Sequence, residues 1–144
     1  MIHLEPITEF NWRENLSVSE EQKNYTSDSM KLLARAYAYR DKGSFACVIY
    51  NDEDPVGMAL YYDCPELQAY DFSQLFIDKN YQGYGYGKNA ARLILDKMSS
   101  EGKYDKVVLC YIEGNEVAKA MYESLGFYHT GDADEDEIIM EMKL

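Results

Sequence analysis

The chain has little of what disulfide frameworks, metal centres and polyanion-binding surfaces are built from. Only three cysteines occur, Cys47, Cys64 and Cys110. The number is odd, the spacing wide and no CxxC pair exists, which argues against a disulfide framework and a zinc site. Cys47 and Cys110 stand inside the apolar runs SFACVIY and VVLCYI, where a cysteine is expected to be a small buried hydrophobe. The two histidines, His3 and His129, are far apart in sequence, so no metal site is expected. Basic residues are scarce, 14 Lys and Arg against 26 Asp and Glu, for a net charge of −12. Nucleic-acid binding, which needs clustered cations to neutralise phosphates, is therefore not expected. Long hydrophobic runs are absent too, so no membrane-spanning helix is expected. The opening MIHLEPITEF has neither the basic region nor the apolar core of a secretion signal. A soluble, cytoplasmic protein is expected.

Aromatics, by contrast, are plentiful: 14% of residues, 14 of them tyrosine. A disordered chain of this charge would be poor in aromatics. The 144 residues suit one domain spanning 1–144, a size that buries about 70% of its unfolded surface. The pattern predicts a strand over 2–5 and a short helix over 9–17. A helix over 30–41 follows, with N-cap candidates Ser27, Asp28 and Ser29 and a stop at Gly43. Then come a hairpin over 44–62 and a strand over 70–77. The second half reads as a helix over 87–100, a buried strand over 106–112 and a helix over 115–125. A hairpin over 127–142 with an acidic turn at 132–137 closes the chain. This order predicts an α/β fold with a mixed sheet.

The informative segment is Tyr81-Gln82-Gly83-Tyr84-Gly85-Tyr86-Gly87-Lys88, between a strand and a helix. Glycines in alternation let backbone N–H groups point into one concavity. The next helix adds unpaired N–H groups and the positive end of its dipole, making a phosphate or pyrophosphate site. A P-loop fits poorly: Gly83 and Gly87 are one residue too close, and Asn89 stands where Ser or Thr is needed. A dinucleotide loop fits Gly83 and Gly85, but its third glycine position holds Lys88. The [QR]xxGx[GA] loop of acetyl-CoA-dependent acyltransferases is matched in full by Gln82, Gly85 and Gly87. A second motif follows a helix and a strand later: Asn115, Ala118, Tyr122, Gly126 and Phe127. Seven positions separate Asn115 from Tyr122, close to two helical turns, so both can face one cleft. Taken singly, they also read as an N-cap, a core aromatic and a C-cap.

Together these motifs resemble the GNAT superfamily of N-acetyltransferases, strongly over 72–127. The resemblance implies a GNAT-like fold, a mixed sheet of six to seven strands flanked by four helices. It implies acetyl-CoA as co-substrate, its pantetheine arm along Leu75, Phe76 and Ile77. Its pyrophosphate would lie at Gln82, Gly83, Tyr84, Gly85, Tyr86, Gly87 and Lys88. Asn115 would touch the cofactor arm, and Tyr122 would be the general acid. Shorter matches at 18–22, Tyr25, 56–62 and 65–66 are similar to the diamine and polyamine acetyltransferase branch. They imply a small cationic amine as acceptor, held by Glu20, Gln22 and Tyr25. Family analogy also implies pairing into a homodimer, to which the terminal hairpin could contribute. A protein or peptide acetyltransferase and a non-catalytic acyl-CoA-binding module are the alternatives.

One departure matters. That branch has a carboxylate where this chain has Ser73, ten residues before Gly83. Strand periodicity predicts Asp71, Ser73, Leu75 and Ile77 on one face of an unbulged strand. Ser73 would then hold a water relaying the amine's proton to Asp71. Glu66, Asp63 and Glu113 are the rival bases. No cysteine sits in either motif, so direct attack on acetyl-CoA is expected rather than a covalent acetyl-enzyme. CoA is an anion and the chain is strongly acidic, so cofactor binding must rest on local N–H groups. The acidity makes better sense toward the acceptor.

Overall fold

The computed structural model describes residues 1–26 and 28–144; the N-cap candidate Ser27 lies outside them. Strand β1 is Ile2–Pro6. Helix α1, Ser29–Ala38, starts where the Asp28 carboxylate accepts from Lys31 N–H. It buries Leu32 and then tightens into a 3-10 turn over Arg40–Lys42, short of the predicted end at 41. Strands β2 (Phe45–Asn51), β3 (Asp54–Cys64) and β4 (Ala69–Ile77) form a meander. Helix α2 (Tyr86–Glu101), strand β5 (Lys106–Ile112) and helix α3 (Glu116–Leu125) follow. The chain closes with β6 (Tyr128–Asp134) and β7 (Glu137–Lys143).

The strands make one seven-stranded sheet in the order β1-β2-β3-β4-β5-β7-β6. Every neighbouring pair is antiparallel except β4 and β5. One face packs on α2 and α3 through Ala90, Ile94, Met98 and Tyr122 against Tyr70, Phe72, Val107 and Met140. On the other face, Leu32 of α1, with Leu16 and Val18, meets Val48, Met58, Leu60 and Phe76. Strand β5 buries Val107 and Leu109 toward α2 and α3 and Val108 on the opposite face.

Three α-helices flank the sheet among the described residues, not four. The predicted helix over 9–17 is a chain of turns. Asn11 accepts from Thr8 N–H at 2.8 Å and donates to the Pro6 carbonyl at 3.0 Å. Such local bonds compete with a helical ladder. Its apolar residues also share no buried face: Phe10 and Trp12 are exposed while Leu16 is buried.

Two irregularities position everything that follows. The parallel pairing of β4 with β5 covers only Tyr70–Val107 and Asp71–Val108, so the strands part beyond Asp71. The β3–β4 register shifts as well: Tyr61 faces Phe72, but Leu60 faces Gln74. Ser73 is therefore the extra residue of a β-bulge. The expectation of an unbulged strand is corrected, because a bulge inverts the alternation of faces. Phe72, Leu75 and Ile77 all pack toward α2 and α3. Phe76 packs toward α1, and Asp71 stands opposite Tyr62, a member of that same cluster.

Gly57 is where β3 can least tolerate a side chain. A Cβ there would overlap the Phe76 carbonyl oxygen and come 2.9 Å from Ile77 Cδ1. Gly57→Ala should therefore destabilise the protein by about 1–3 kcal/mol through overpacking. In urea unfolding the midpoint should fall with the slope unchanged.

Candidate active site

Where β4 and β5 part, a cleft of about 550 Å³ opens. Asp71, Ser73, Gln74 and Leu75 of β4 line it, with Cys110, Tyr111 and Ile112 of β5. Asn115, Ala118 and Tyr122 of α3 face it, as do Tyr25, Arg35, Tyr62 and Glu137. Beyond Asp71 the β4 edge that faces β5 has no strand partner, which leaves backbone groups for a ligand to pair with.

The glycine loop lies at the end of the same strand. Gly83 and Gly85 have φ of +88° and +80°, and a Cβ on either would meet nothing within 4 Å. Glycine is thus required by backbone conformation, and the concavity stays open. Gly85 caps α2, whose 16 residues align the peptide dipoles behind the loop. Gly87 is closely backed: a Cβ would lie 3.4 Å from Ile77 Cγ1 and 3.5 Å from Met121 Sδ. Tyr84 is exposed and stacks on Tyr86, whose hydroxyl accepts from Asn51 Nδ2 at 3.0 Å. Lys88 is partly buried in the first turn of α2. The residues present suit a pyrophosphate by the chemistry of oriented N–H donors and one lysine.

On α3, the Asn115 side chain accepts from Ala118 N–H at 3.2 Å and caps the helix. Two turns on, Tyr122 is buried and held edge-on by Phe72 and Phe127, at ring distances of 6.1 and 5.6 Å. Burial, with a smaller contribution from coupling to the Cys110 thiol, pushes its hydroxyl pKa well above the usual tyrosine value. The group is a firmly protonated acid at neutral pH.

Across the cleft, Ser73 Oγ accepts from Arg35 Nη1 at 3.1 Å and from the Tyr62 hydroxyl at 3.3 Å. Both lone pairs are then engaged, and the serine's own proton remains to be donated. Burial raises the Asp71 pKa to about 6; Arg35 opposes the rise and Glu137 adds to it. Three of these groups escape the sequence reading. Arg35 lies on a helix far from both motifs and carries no signal there. Glu137 belongs to the stretch read as a hairpin tip, yet β7 restarts at Glu137, opposite Ile112. Cys110 is exposed, not buried as expected, because β4 has left its side. Cys47 is buried, as expected.

Of the residues expected at the acceptor, Tyr25 lines the cleft. Its hydroxyl lies 3.3 Å from where a Gly114 Cβ would be. Glu20 points to solvent in an ion pair with Lys23 at 2.7 Å. Gln22 is hydrogen-bonded to Gln82. The rival bases stand outside the cleft: Asp63 pairs with Lys103 at 2.7 Å, Glu66 is exposed beside Cys64, and Glu113 lies on the exposed turn after β5. Leu75 borders the cleft and Ile77 packs against the loop's Gly87, while Phe76 turns its side chain to the α1 face.

A model of the acetyltransferase (GNAT) family matches residues 5–127. The chain belongs to the GNAT family. A probable spermine N(1)-acetyltransferase of Bacillus subtilis subsp. natto is 29% identical over 129 residues, covering 83% of this chain and 82% of that protein. The spermidine N-acetyltransferase of Vibrio cholerae, solved with CoA and spermine, superposes with a TM-score of 0.79 at 18% identity. It covers 99% of this chain and 95% of its own. The AAC(6′)-Ib structure with paromomycin and acetyl-CoA reaches 0.80 at 12% identity, covering 99% and 93%. The molecule is thus an acetyl-CoA-dependent N-acetyltransferase of the GNAT fold. Among its described residues no helix is long and apolar enough to cross a membrane, and no cluster of metal-ligating side chains occurs.

The Asp71 pKa has a consequence for stability. A carboxyl raised above its unfolded value opposes folding once it must ionise. Its stabilising contribution is complete below about pH 4 and is lost as pH rises through about 6. Asp71→Asn cannot ionise. Its melting temperature should exceed that of the wild type at pH 8, and the difference should shrink toward pH 4.

Proposed function

We propose that this GNAT enzyme acetylates a primary amine of a polyamine or similar small cation, by direct transfer from acetyl-CoA. The observation that carries the reading is one cleft that holds both a carboxylate and a tyrosine hydroxyl, each raised in pKa by burial. Asp71 is poised near neutrality and Tyr122 is held protonated. A carboxylate that titrates near neutrality can take a proton and a phenol that stays protonated can give one, which supports a base and an acid on facing walls. The spermine acetyltransferase relative supports the acceptor class, as do the Asp71 and Glu137 carboxylates and the tyrosines around them.

An alkylammonium has a pKa near 10, so about 0.1% is nucleophilic at pH 7. Asp71 draws off the first proton through a water that takes the free hydrogen bond of Ser73. The amine nitrogen then attacks the thioester carbon, and a backbone N–H on the open β4 edge stabilises the oxyanion. The carbon–sulfur bond breaks and the CoA sulfur takes a proton from Tyr122. Of the two protons the ammonium loses, the first passes through Asp71 to solvent, and the second, released from the nitrogen after attack, restores the Tyr122 hydroxyl through solvent, so the net products are the amide, the CoA thiol and one proton. A covalent route through Cys110 is disfavoured: partial desolvation at the cleft wall, with Glu137 and Asp71 nearby, pushes its thiol up to about 11 even though the side chain keeps solvent access. Little thiolate exists at neutral pH.

A thiol-release screen with acetyl-CoA across spermine, spermidine, diamines, aminoglycosides and peptides tests the acceptor. Turnover should be greatest with the polyamines; turnover confined to peptides would overturn the assignment. With the best acceptor, Tyr122→Phe should lower kcat about 100-fold. The wild-type profile of kcat/KM against pH should show an acid limb near 6, where Asp71 titrates. Asp71→Asn should lack that limb and lose at least about tenfold in kcat/KM.

A further inference from the structure

Gln22 and Gln82 lie 60 positions apart and hold each other by two hydrogen bonds. Gln22 Nε2 donates to Gln82 Oε1 at 3.0 Å, and Gln82 Nε2 donates back to Gln22 Oε1 at 2.9 Å. The second proton of Gln82 Nε2 goes to the Ile77 carbonyl at 2.8 Å. At the other end, Gln22 Oε1 accepts from the N–H and hydroxyl of Ser19, at 3.2 and 3.1 Å. A continuous network therefore runs from the end of β4, through the residue that opens the glycine loop, into 19–22.

A second tether lies beside it. Ser17 N–H donates to the buried Asp78 carboxylate, and Lys79 N–H donates to the Ser17 carbonyl, each at 2.9 Å. The chain over 17–22 is thus strapped across the junction of cofactor strand and loop. Directly after the strap, Asn24, Tyr25 and Thr26 form a wall of the cleft.

From this geometry we propose that the Gln22–Gln82 pair couples occupation of the glycine loop to ordering of the acceptor-side wall, with Gln22 as a positioning residue. A ligand held by the loop N–H groups restrains Gln82. Gln82 restrains Gln22, and the turn through Lys23 and Asn24, closed by Tyr25 N–H donating to the Gln22 carbonyl at 2.9 Å, carries that restraint to Tyr25. A wall ordered in advance costs the acceptor less on binding. The coupling is reciprocal, as any linkage between two binding events must be. It rests on reading Gly83–Lys88 as the CoA loop.

Hydrogen–deuterium exchange with and without CoA tests it on the whole chain. In the wild type, CoA should slow exchange both over 82–88 and over 19–26. In Gln22→Ala the slowing over 82–88 should remain while that over 19–26 is lost. Gln82→Ala should lose it too, and the double variant should lose no more than either single one. Gln22→Glu keeps an acceptor for Gln82 Nε2 and should regain part of the protection. With spermidine, Gln22→Ala should raise the acceptor KM about fivefold and change kcat less than about twofold. Equal protection of 19–26 in the wild type and Gln22→Ala overturns the coupling. So does a wild type whose loop is protected while its strap is not. No protection over 82–88 in the wild type would instead overturn the loop reading itself.

Discussion

The site depends on how briefly β4 and β5 stay together. Their parallel pairing lasts for two residue pairs and ends at Asp71. Had it continued, the backbone edge of β4 would be consumed by β5, Cys110 would be covered and Tyr122 would look onto a closed sheet. The separation is held from both sides. β5 is committed to β7 along its whole length, from Lys106 to Ile112. β4 is committed to β3 up to Ile77, and turns its faces at the Ser73 bulge. Each strand follows the ladder on its far edge, and beyond Asp71 those two ladders no longer run side by side.

The bulge does more than bend the strand. It places Asp71 on the α1 side, near Arg35 and opposite Tyr62, while Leu75 and Ile77 go to the α2–α3 side with Phe72. One short strand thus presents a carboxylate on one face and apolar side chains on the other. Ser73, lacking a carboxylate, is held as a hydrogen-bond hub by Arg35 and Tyr62. Arg35 also offsets part of the negative charge that Asp71 and Glu137 bring to the cleft. The net charge of −12 is thus not spread evenly over function. The loop over 82–88 carries one lysine and no carboxylate, whereas the cleft is lined by Asp71 and Glu137.

Much of the fold was legible in the chain. The α2 helix, β5 and α3 read clearly because each buries a continuous face whose spacing is a local property. The glycine loop and the Asn115–Tyr122 spacing read clearly for the same reason: conformational demand and helical pitch act within a few residues. The helix expected over 9–17 failed because Asn11 satisfies the backbone of its neighbours, which apolar counting does not register. Cys110 was misjudged because its apolar neighbours are buried by strands, whereas its own exposure depends on where β4 ends its pairing.

Most of the element order, the glycine loop and the Asn115–Tyr122 spacing on α3 follow from the sequence alone, since each is set by interactions among near neighbours. Only the tertiary structure decided which carboxylate faces the cleft, that Glu137 and Arg35 share it with Asp71, and that Gln22 bonds to Gln82. Those relations join residues 36 to 66 positions apart, through strand register and a bulge. A one-residue shift in register moves a side chain to the other face of a sheet. No local pattern encodes that shift, because it is fixed by how the two faces of β4 pack against helices from opposite ends of the chain.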